Sequence, residues 1–471
     1  MTGFCWSSVC GPRRGGGWAG PTALLCVYGF SSMLRPTEPF LTAFLIGPYK
    51  NLTVHQVTEQ VLPVWAYSSL LLLIPVFLLT DPLRYKPVIV LQALSNVLTV
   101  LLLLFCTGVS SAQGALFVYS LATAADVAYF SYIYTVVHPG RYQRVTSYAR
   151  AAVLLGYAAG AALGQLLVSL WGVALYWLAV TTLVSLCLAL SASFLLPMPG
   201  KSLFRRETLA DGGPGDDGPR EPEGRGVSWG GRAGRAGREV AAAVRRLWRD
   251  CRECYSSVAV RFFCVWVAAG RCGFYQVSSY VQLLWEAKQP RDNFTAYNGG
   301  VDAFATLSGA AASVAVGHVA LDWSVWGELF LGVFTALLAG ALYLMELTRS
   351  IWVCYGCYAL FKTVYMLVIT VCTFQIARNL SRERYALVFG LNFFMGTALQ
   401  SLLTAIVVSS LRMAITTQFV VYASYFAAIS VLFLLRGVYT VLRVRHRPGG
   451  SSSPADRQSE TSPDVTEVPH T

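Results

Sequence analysis

Residues 207–238 read ETLADGGPGDDGPREPEGRGVSWGGRAGRAGR, and no other long stretch of the chain has this character. It is Gly, Pro, Arg and acid, without apolar periodicity. Such a composition buries too little apolar surface to offset the entropy of ordering it. Taken as a linker over 197–255, it is predicted to be disordered, and it divides two segments of opposite composition. Of 471 residues, 55% are hydrophobic and 13% charged, about half the charged fraction of soluble domains. Nine of the 24 acidic residues lie in 201–255 and four after 442. The remainder reads as chain solvated by lipid.

Working outward, apolar runs of about 20 residues, long enough to cross a bilayer, fall near 21–45, 61–80, 86–106, 113–137, 147–170 and 174–196. After the linker they recur near 257–285, 296–319, 325–346, 350–377, 385–409 and 416–441. This predicts an all-α membrane protein of twelve transmembrane helices. Its parts are a cytosolic N-terminus (1–20), a six-helix bundle (21–196), the cytosolic linker (197–255), a second six-helix bundle (256–441) and a disordered cytosolic tail (442–471). The linker's end, REVAAAVRRLWRDCREC (238–254), has helical spacing with a basic face suited to a membrane surface.

Basic residues set the orientation. Arg84 and Lys86, then Arg141, Arg144 and Arg150, the linker, Arg378, Arg382 and Arg384, and Arg443, Arg445 and Arg447 fall on one side. Lys50, Lys288, Arg291, Arg349 and Arg412 are few on the other. Both termini are therefore predicted to be cytosolic. The sequons at Asn51 and Asn293 then lie outside and that at Asn379 inside; glycosylation is expected at Asn51. The cysteines lack zinc-site spacing, and Cys251 and Cys254 form one CxxC that reads as inert. No phosphate-cradling loop, nucleophile elbow or metal cluster is present, so neither an enzyme nor a bound cofactor or metal is expected. Nothing points to nucleic acid; the expected partners are the lipid bilayer and a small-molecule substrate.

Six spans, a cytosolic linker and six spans is the layout of the major facilitator architecture (6+6), in which substrate binds between the halves at mid-depth. Three carboxylates interrupt the spans: Glu38 in MLRPTEPFL, Asp126 in LATAADVAYFSYIY and Asp302 in YNGGVDAFATL. Each costs about 2.5–3.5 kcal/mol at a helix centre on insertion scales, so each needs water or a cation. Ion pairing is one reading. Arg35 is placed for an i, i+3 pair with Glu38, and Arg271 or Lys362 for pairing with Asp126 or Asp302. Recognition of a cation is the other. Trp65 and Tyr129 supply aromatic faces near the carboxylates, each contributing about 0.5–2 kcal/mol to a held cation. Pro36 and Pro39 bracket Glu38 and remove backbone donors, which predicts a break in the first span.

The stretches YGFSSMLRPTEPFLTAFLIGPYKNLT, PVFLLTDPLRYKPV, YNGGVDA, FQIARNLSRERYALVFGLN and TTQFVVYASYF resemble the folate/thiamine carrier family over about 21–437, linker aside. The resemblance implies the major facilitator fold and vitamin transport. Asp126 stands where the folate branch has an arginine and the thiamine branch a glutamate. Gln400 stands where the folate branch has a lysine, and PTEPF is similar to the PSEPF of thiamine carriers. By this resemblance Glu38, Trp65, Asp126, Tyr129 and Asp302 form a thiamine site, with Gln400 as a polar contact. Trp65 and Tyr129 would stack on the heterocycles, and Glu38 and Asp126 would take the amino hydrogens or offset the charge. Arg271 departs from the pattern, adding a positive charge to the seventh span. The implied function is plasma-membrane thiamine uptake by alternating access. The alternatives are a reduced folate carrier working by anion exchange, with Arg271 and Lys362 on the substrate carboxylates, and a non-transporting vitamin sensor.

Overall fold

The computed structural model describes residues 19–80, 83, 85–137, 142–198, 249, 252, 255, 258–289, 297–316, 323–378 and 382–445. Nearly all of the linker, the C-terminal tail from 446, Cys251 and Cys254, and the sequons at Asn293 and Asn379 lie outside the described residues. Among the described residues, thirteen α-helices make twelve crossings. They are α1 (Ala19–Met33) and α2 (Leu41–Ile46), then α3 (Leu62–Thr80), α4 (Lys86–Phe105), α5 (Val109–Val136), α6 (Tyr142–Ser169) and α7 (Leu175–Leu195). Beyond the linker come α8 (Val258–Lys288), α9 (Asn298–Val316), α10 (Trp323–Leu347), α11 (Ile351–Arg378), α12 (Arg382–Thr404) and α13 (Ile415–Arg445). Ten of the crossings are long and apolar enough to span a membrane by composition. The other two are the broken first span, α1 with α2, and α8, which carries Arg261, Arg271, Glu286 and Lys288.

The first span breaks where the prolines predict. Leu34 N–H still donates to Phe30 O at 3.0 Å, and a single 3₁₀ turn, Glu38–Phe40, leads into α2. What receives the break is α6. Gly156, Gly160 and Gly164 recur every four residues and so line one face of that helix. A Cβ at Gly156 would collide with Phe30 O. At Gly160 and Gly164 it would stand 2.5 Å from Arg35 N and from Pro36 O. Only hydrogen side chains let the α1 backbone come this close, the packing that small residues permit between membrane helices. On its other side the break is held by α7, where Thr182 Oγ1 accepts from Thr37 N–H at 3.3 Å. Ser185 Oγ donates to Ser31 O at 2.8 Å.

In the second half, α10 and α13 pack by the same device. A Cβ at Gly332 or Gly437 would meet Leu434 N at 2.6 Å or Leu329 Cα at 2.5 Å. Arg436 Nε lies 3.3 Å from Glu328 Oε2, and Thr440 donates to the same oxygen at 2.5 Å. Between the halves, α6 meets α9 and α3 meets α12. Gly300 N–H donates to Gln165 Oε1 at 3.1 Å, and Ser401 Oγ donates to Ala66 O at 2.9 Å. The hydroxyls of Tyr67 and Ser409 lie 2.6 Å apart. Two π-helical turns, Gln56–Val61 before α3 and Ala405–Ser410 after α12, face each other at this rim. Arg412 Nε is 3.6 Å from Glu59 Oε2 across it. Helix direction puts these contacts toward the end of the bundle opposite Ala19 and Arg445. Outward-facing Leu71, Phe105, Phe304, Leu347 and Leu435 are each more than 60% exposed. That is a surface for lipid, where every backbone donor and acceptor must be satisfied within the helices.

Candidate functional site

A cavity of about 300 Å³, its open mouth included, lies between α3, α5, α8 and α12. Trp65 and Ser69 face it from α3, and Thr123 and Ala124 from α5. Arg271 and Tyr275 come from α8, and Phe393, Thr397 and Gln400 from α12. The two halves thus contribute to one wall. The Trp65 and Tyr275 rings are 5.9 Å apart and tilted by 53°, and the indole N–H of Trp65 is buried without a hydrogen-bond partner.

Asp126 sits one turn along α5 from Thr123, on the same face. Its Oδ1 accepts from Gln92 Nε2 of α4, and Gln92 Oε1 in turn accepts from the Tyr28 hydroxyl of α1 at 2.8 Å. This chain fixes the carboxylate through neutral groups. No cation lies within ion-pair distance of it among the described residues; Arg35 and Arg271 are its electrostatic neighbours.

Arg271 is packed rather than paired. Its guanidinium carbon lies 3.7 Å from the Phe393 ring centre and 4.7 Å from that of Tyr275, so it is sandwiched between the two. Its Nε has no hydrogen-bond partner. A Cβ at Gly396 would press on Arg271 Cδ at 3.0 Å, so the glycine leaves room for the stem.

The other expected residues divide between these surroundings. Glu38 stands at the break in the first span. Its Oε2 is 4.0 Å from Arg35 Nη1, the outer limit of an ion pair, and has no hydrogen-bond partner. The backbone oxygen of Glu38 accepts from Gln282 of α8 at 3.0 Å. Arg35 donates to Ser32 O, Tyr119 and Asn96 at 2.6, 3.1 and 3.3 Å. Asp302 and Lys362 form a buried pair at 2.8 Å. The Tyr358 hydroxyl donates to Asp302 Oδ1 at 3.3 Å, and Tyr157 from the first half reaches Oδ2 at 3.3 Å. Of the pairings open in the sequence, Lys362 with Asp302 is thus realised, and Arg271 with Asp126 is not. Tyr129 does not line the cavity. Its hydroxyl donates to Leu25 O at 3.1 Å and its ring leans on Tyr28 at 5.5 Å, in the core behind Asp126.

Sequence reasoning passed over Ser69, Thr123, Tyr275, Phe393, Thr397 and Gln92. The signal was present for three of them. Ser69 and Thr123 lie one turn from Trp65 and Asp126, and Gln92 is an amide within an apolar run.

The fold is shared with solved transporters. A POT family transporter in complex with 5-aminolevulinic acid superposes with a TM-score of 0.62 at 11% identity, over 90% of this chain and 98% of that one. The nucleoside transporter NupG superposes at 0.56 with 12% identity, over 89% and 98%. At such identities the likeness concerns fold alone, and the fold is the major facilitator one. Sequence similarity reaches further. Thiamine transporter 1 of Mus musculus is 47% identical, with 93% of each chain covered. Thiamine transporter 2 of Homo sapiens is 44% identical over 95% of each. The human reduced folate transporter is 39% identical over 90% of this chain and 73% of that one. The sequence profile of the reduced folate carrier family matches residues 16–421, and the chain belongs to that family.

Proposed function

We propose that the protein is a secondary carrier that moves thiamine into the cell by alternating access about the central cavity. The observation that carries this reading is Asp126. It is a carboxylate one turn along α5 from the cavity-lining Thr123, with no directly paired cation among the described residues, and Trp65 and Tyr275 supply aromatic faces to the same cavity. A heterocyclic cation supplies what this arrangement lacks. The charge meets the carboxylate where water is scarce, and the flat rings meet the aromatics. Trp65 stacks on the substrate and Gln400 gives a polar contact. Glu38, at the break, accepts the substrate's amino hydrogens at its unpartnered oxygen. Asp302 acts by holding α9 to α11 and α6, and Tyr129 by backing the Tyr28–Gln92–Asp126 chain. The relatives named above as thiamine transporters, at 44–47% identity, support the same substrate.

The test is uptake of labelled thiamine and labelled reduced folate, side by side, in cells expressing the chain. Saturable thiamine uptake without folate uptake is the expected result; folate uptake alone overturns the proposal. A reduced folate carrier is the second reading, favoured by Arg271 in the cavity wall. It also needs Lys362 for a substrate carboxylate, and Lys362 is already committed to Asp302.

The proposed location is the plasma membrane. Both termini are cytosolic, the six-helix bundles are 21–196 and 256–441, and the 197–255 linker is cytosolic too. The distribution of Arg and Lys supports this orientation. In it, the contacts between the halves at the Tyr67–Ser409 and Glu59–Arg412 rim close the outer side of the cavity. Asn51 is then extracellular and exposed, with Thr53 of its sequon in a reciprocal capping pair with Gln56. It is the proposed glycosylation site. Asn51→Gln is expected to run faster on a denaturing gel and to become insensitive to glycosidase; unchanged mobility would leave Asn51 bare.

A further inference from the structure

Helix α13 is longer than a bilayer core is thick. Its 31 residues extend roughly 46 Å at 1.5 Å per residue, against about 30 Å for the hydrocarbon. With Ile415 at the outer edge, Arg436 stands about 31 Å along the axis, where acyl chains give way to headgroups. Two exposed aromatics near it, Tyr439 on α13 and Trp326 in the first turn of α10, fit the belt of that depth. In the orientation proposed above this is the cytosolic leaflet. What Arg436 meets there is incomplete. Its guanidinium carbon lies 4.8 Å from the ring centre of Phe262 on α8 and 5.5 Å from that of Tyr439. Its Nε faces Glu328 of α10 at 3.3 Å, and the Thr440 hydroxyl shares that carboxylate oxygen. Among the described residues Nε is the only one of its nitrogens with a protein acceptor, and the side chain is 31% exposed. The surrounding flank is lipid-facing, with Leu432 and Leu435 exposed beside it.

We infer that the crevice where α8, α10 and α13 meet at this level binds an anionic glycerophospholipid of the adjoining leaflet, whose phosphate oxygens take the Nη donors of Arg436. Donors at this depth need acceptors, and water is scarce there. Lipid phosphate lies at the same level, and the planar donors of arginine match its oxygens in pairs. Charge selects the headgroup. Glu328 balances one cation. Arg261, next in the chain to Phe262, and Arg443, two turns on from Arg436 along one face of α13, are exposed and unpaired among the described residues. Three cations against one acid favour a lipid with net negative charge, as basic pockets between spans do on the cytosolic side.

The experiment is native mass spectrometry of the purified full chain, released from micelles that hold equal amounts of phosphatidylserine and phosphatidylcholine with the same acyl chains. The quantity read is the ratio of protein retaining the serine lipid to protein retaining the choline lipid. The wild type should prefer the serine lipid, and the preference should fall about fivefold in the double variant Arg436→Gln with Glu328→Gln, the factor expected of one arginine beside anionic lipid. The double variant removes the guanidinium without stranding the carboxylate. Equal retention of the two lipids by the wild type overturns the site, and so does a preference unchanged in the double variant. Inorganic phosphate separates the sources. If it displaces the serine lipid, the crevice is an anion site open to solvent, and the lipid assignment falls. If the double variant does not purify folded, Arg261→Gln with Arg443→Gln decides, since both side chains are exposed. A reduced preference there supports the inference, and an unchanged one overturns it. None of these readings depends on what the carrier transports.

Discussion

Lys362→Met is expected to destabilise the protein by roughly 3–5 kcal/mol, the cost of leaving one member of a buried pair uncompensated. Lys362 and Asp302 are 5% and 6% exposed, and their contact at 2.8 Å joins α11 to α9. The ammonium also lies 4.6 Å from the centre of the Tyr157 ring. Without it, the Asp302 carboxylate keeps only the hydroxyls of Tyr157 and Tyr358. Heat-induced aggregation of the purified protein measures the loss. The double variant Lys362→Met with Asp302→Asn removes both charges and should recover most of the stability. A single variant as stable as the wild type would show that the pair is not buried in the working protein.

Asp126→Asn is expected to lower thiamine uptake, as kcat/KM, by about 10- to 100-fold, the range that one charged hydrogen bond of about 1.5–3 kcal/mol supplies. Asparagine has nearly the same shape, and its carbonyl oxygen can still accept from Gln92 Nε2. The Tyr28–Gln92 chain should therefore survive, and with it the amount of protein at the cell surface. Surface biotinylation beside initial-rate uptake separates the two effects. Normal uptake by Asp126→Asn would remove Asp126 from the site.

Which parts of this were legible beforehand follows from the range of the forces involved. The twelve crossings and the break at Pro36 and Pro39 are local properties, of apolar content and missing donors, and the structure matches them. The α6 strip was also legible, since Gly156, Gly160 and Gly164 repeat every four residues. The π turns were not, because an i, i+5 bond leaves no compositional mark and depends on what the helix end must meet. Nor was the choice of partner for Lys362. Two cations faced two acids, and only the register of α9 against α11 assigns them. Tyr129 shows the limit most clearly. One helical turn from Asp126 gave it the right face but not the right depth. Gly29 opposite leaves space for its hydroxyl, so the side chain turns back to Leu25 O and becomes wall behind the site.

The seat of the broken first span has a consequence for how the protein is made. At synthesis rates of about 5–20 residues per second, Gly156, Gly160 and Gly164 leave the ribosome many seconds after Phe30, Arg35 and Pro36. Until then Arg35 can reach Asn96 and Tyr119, but the proline-rich interruption lacks the glycine face that seats its backbone. The first span therefore completes its packing only once the fifth has been made. A bulky residue at Gly160 is therefore expected to leave the first span unseated in a chain whose spans have all been made.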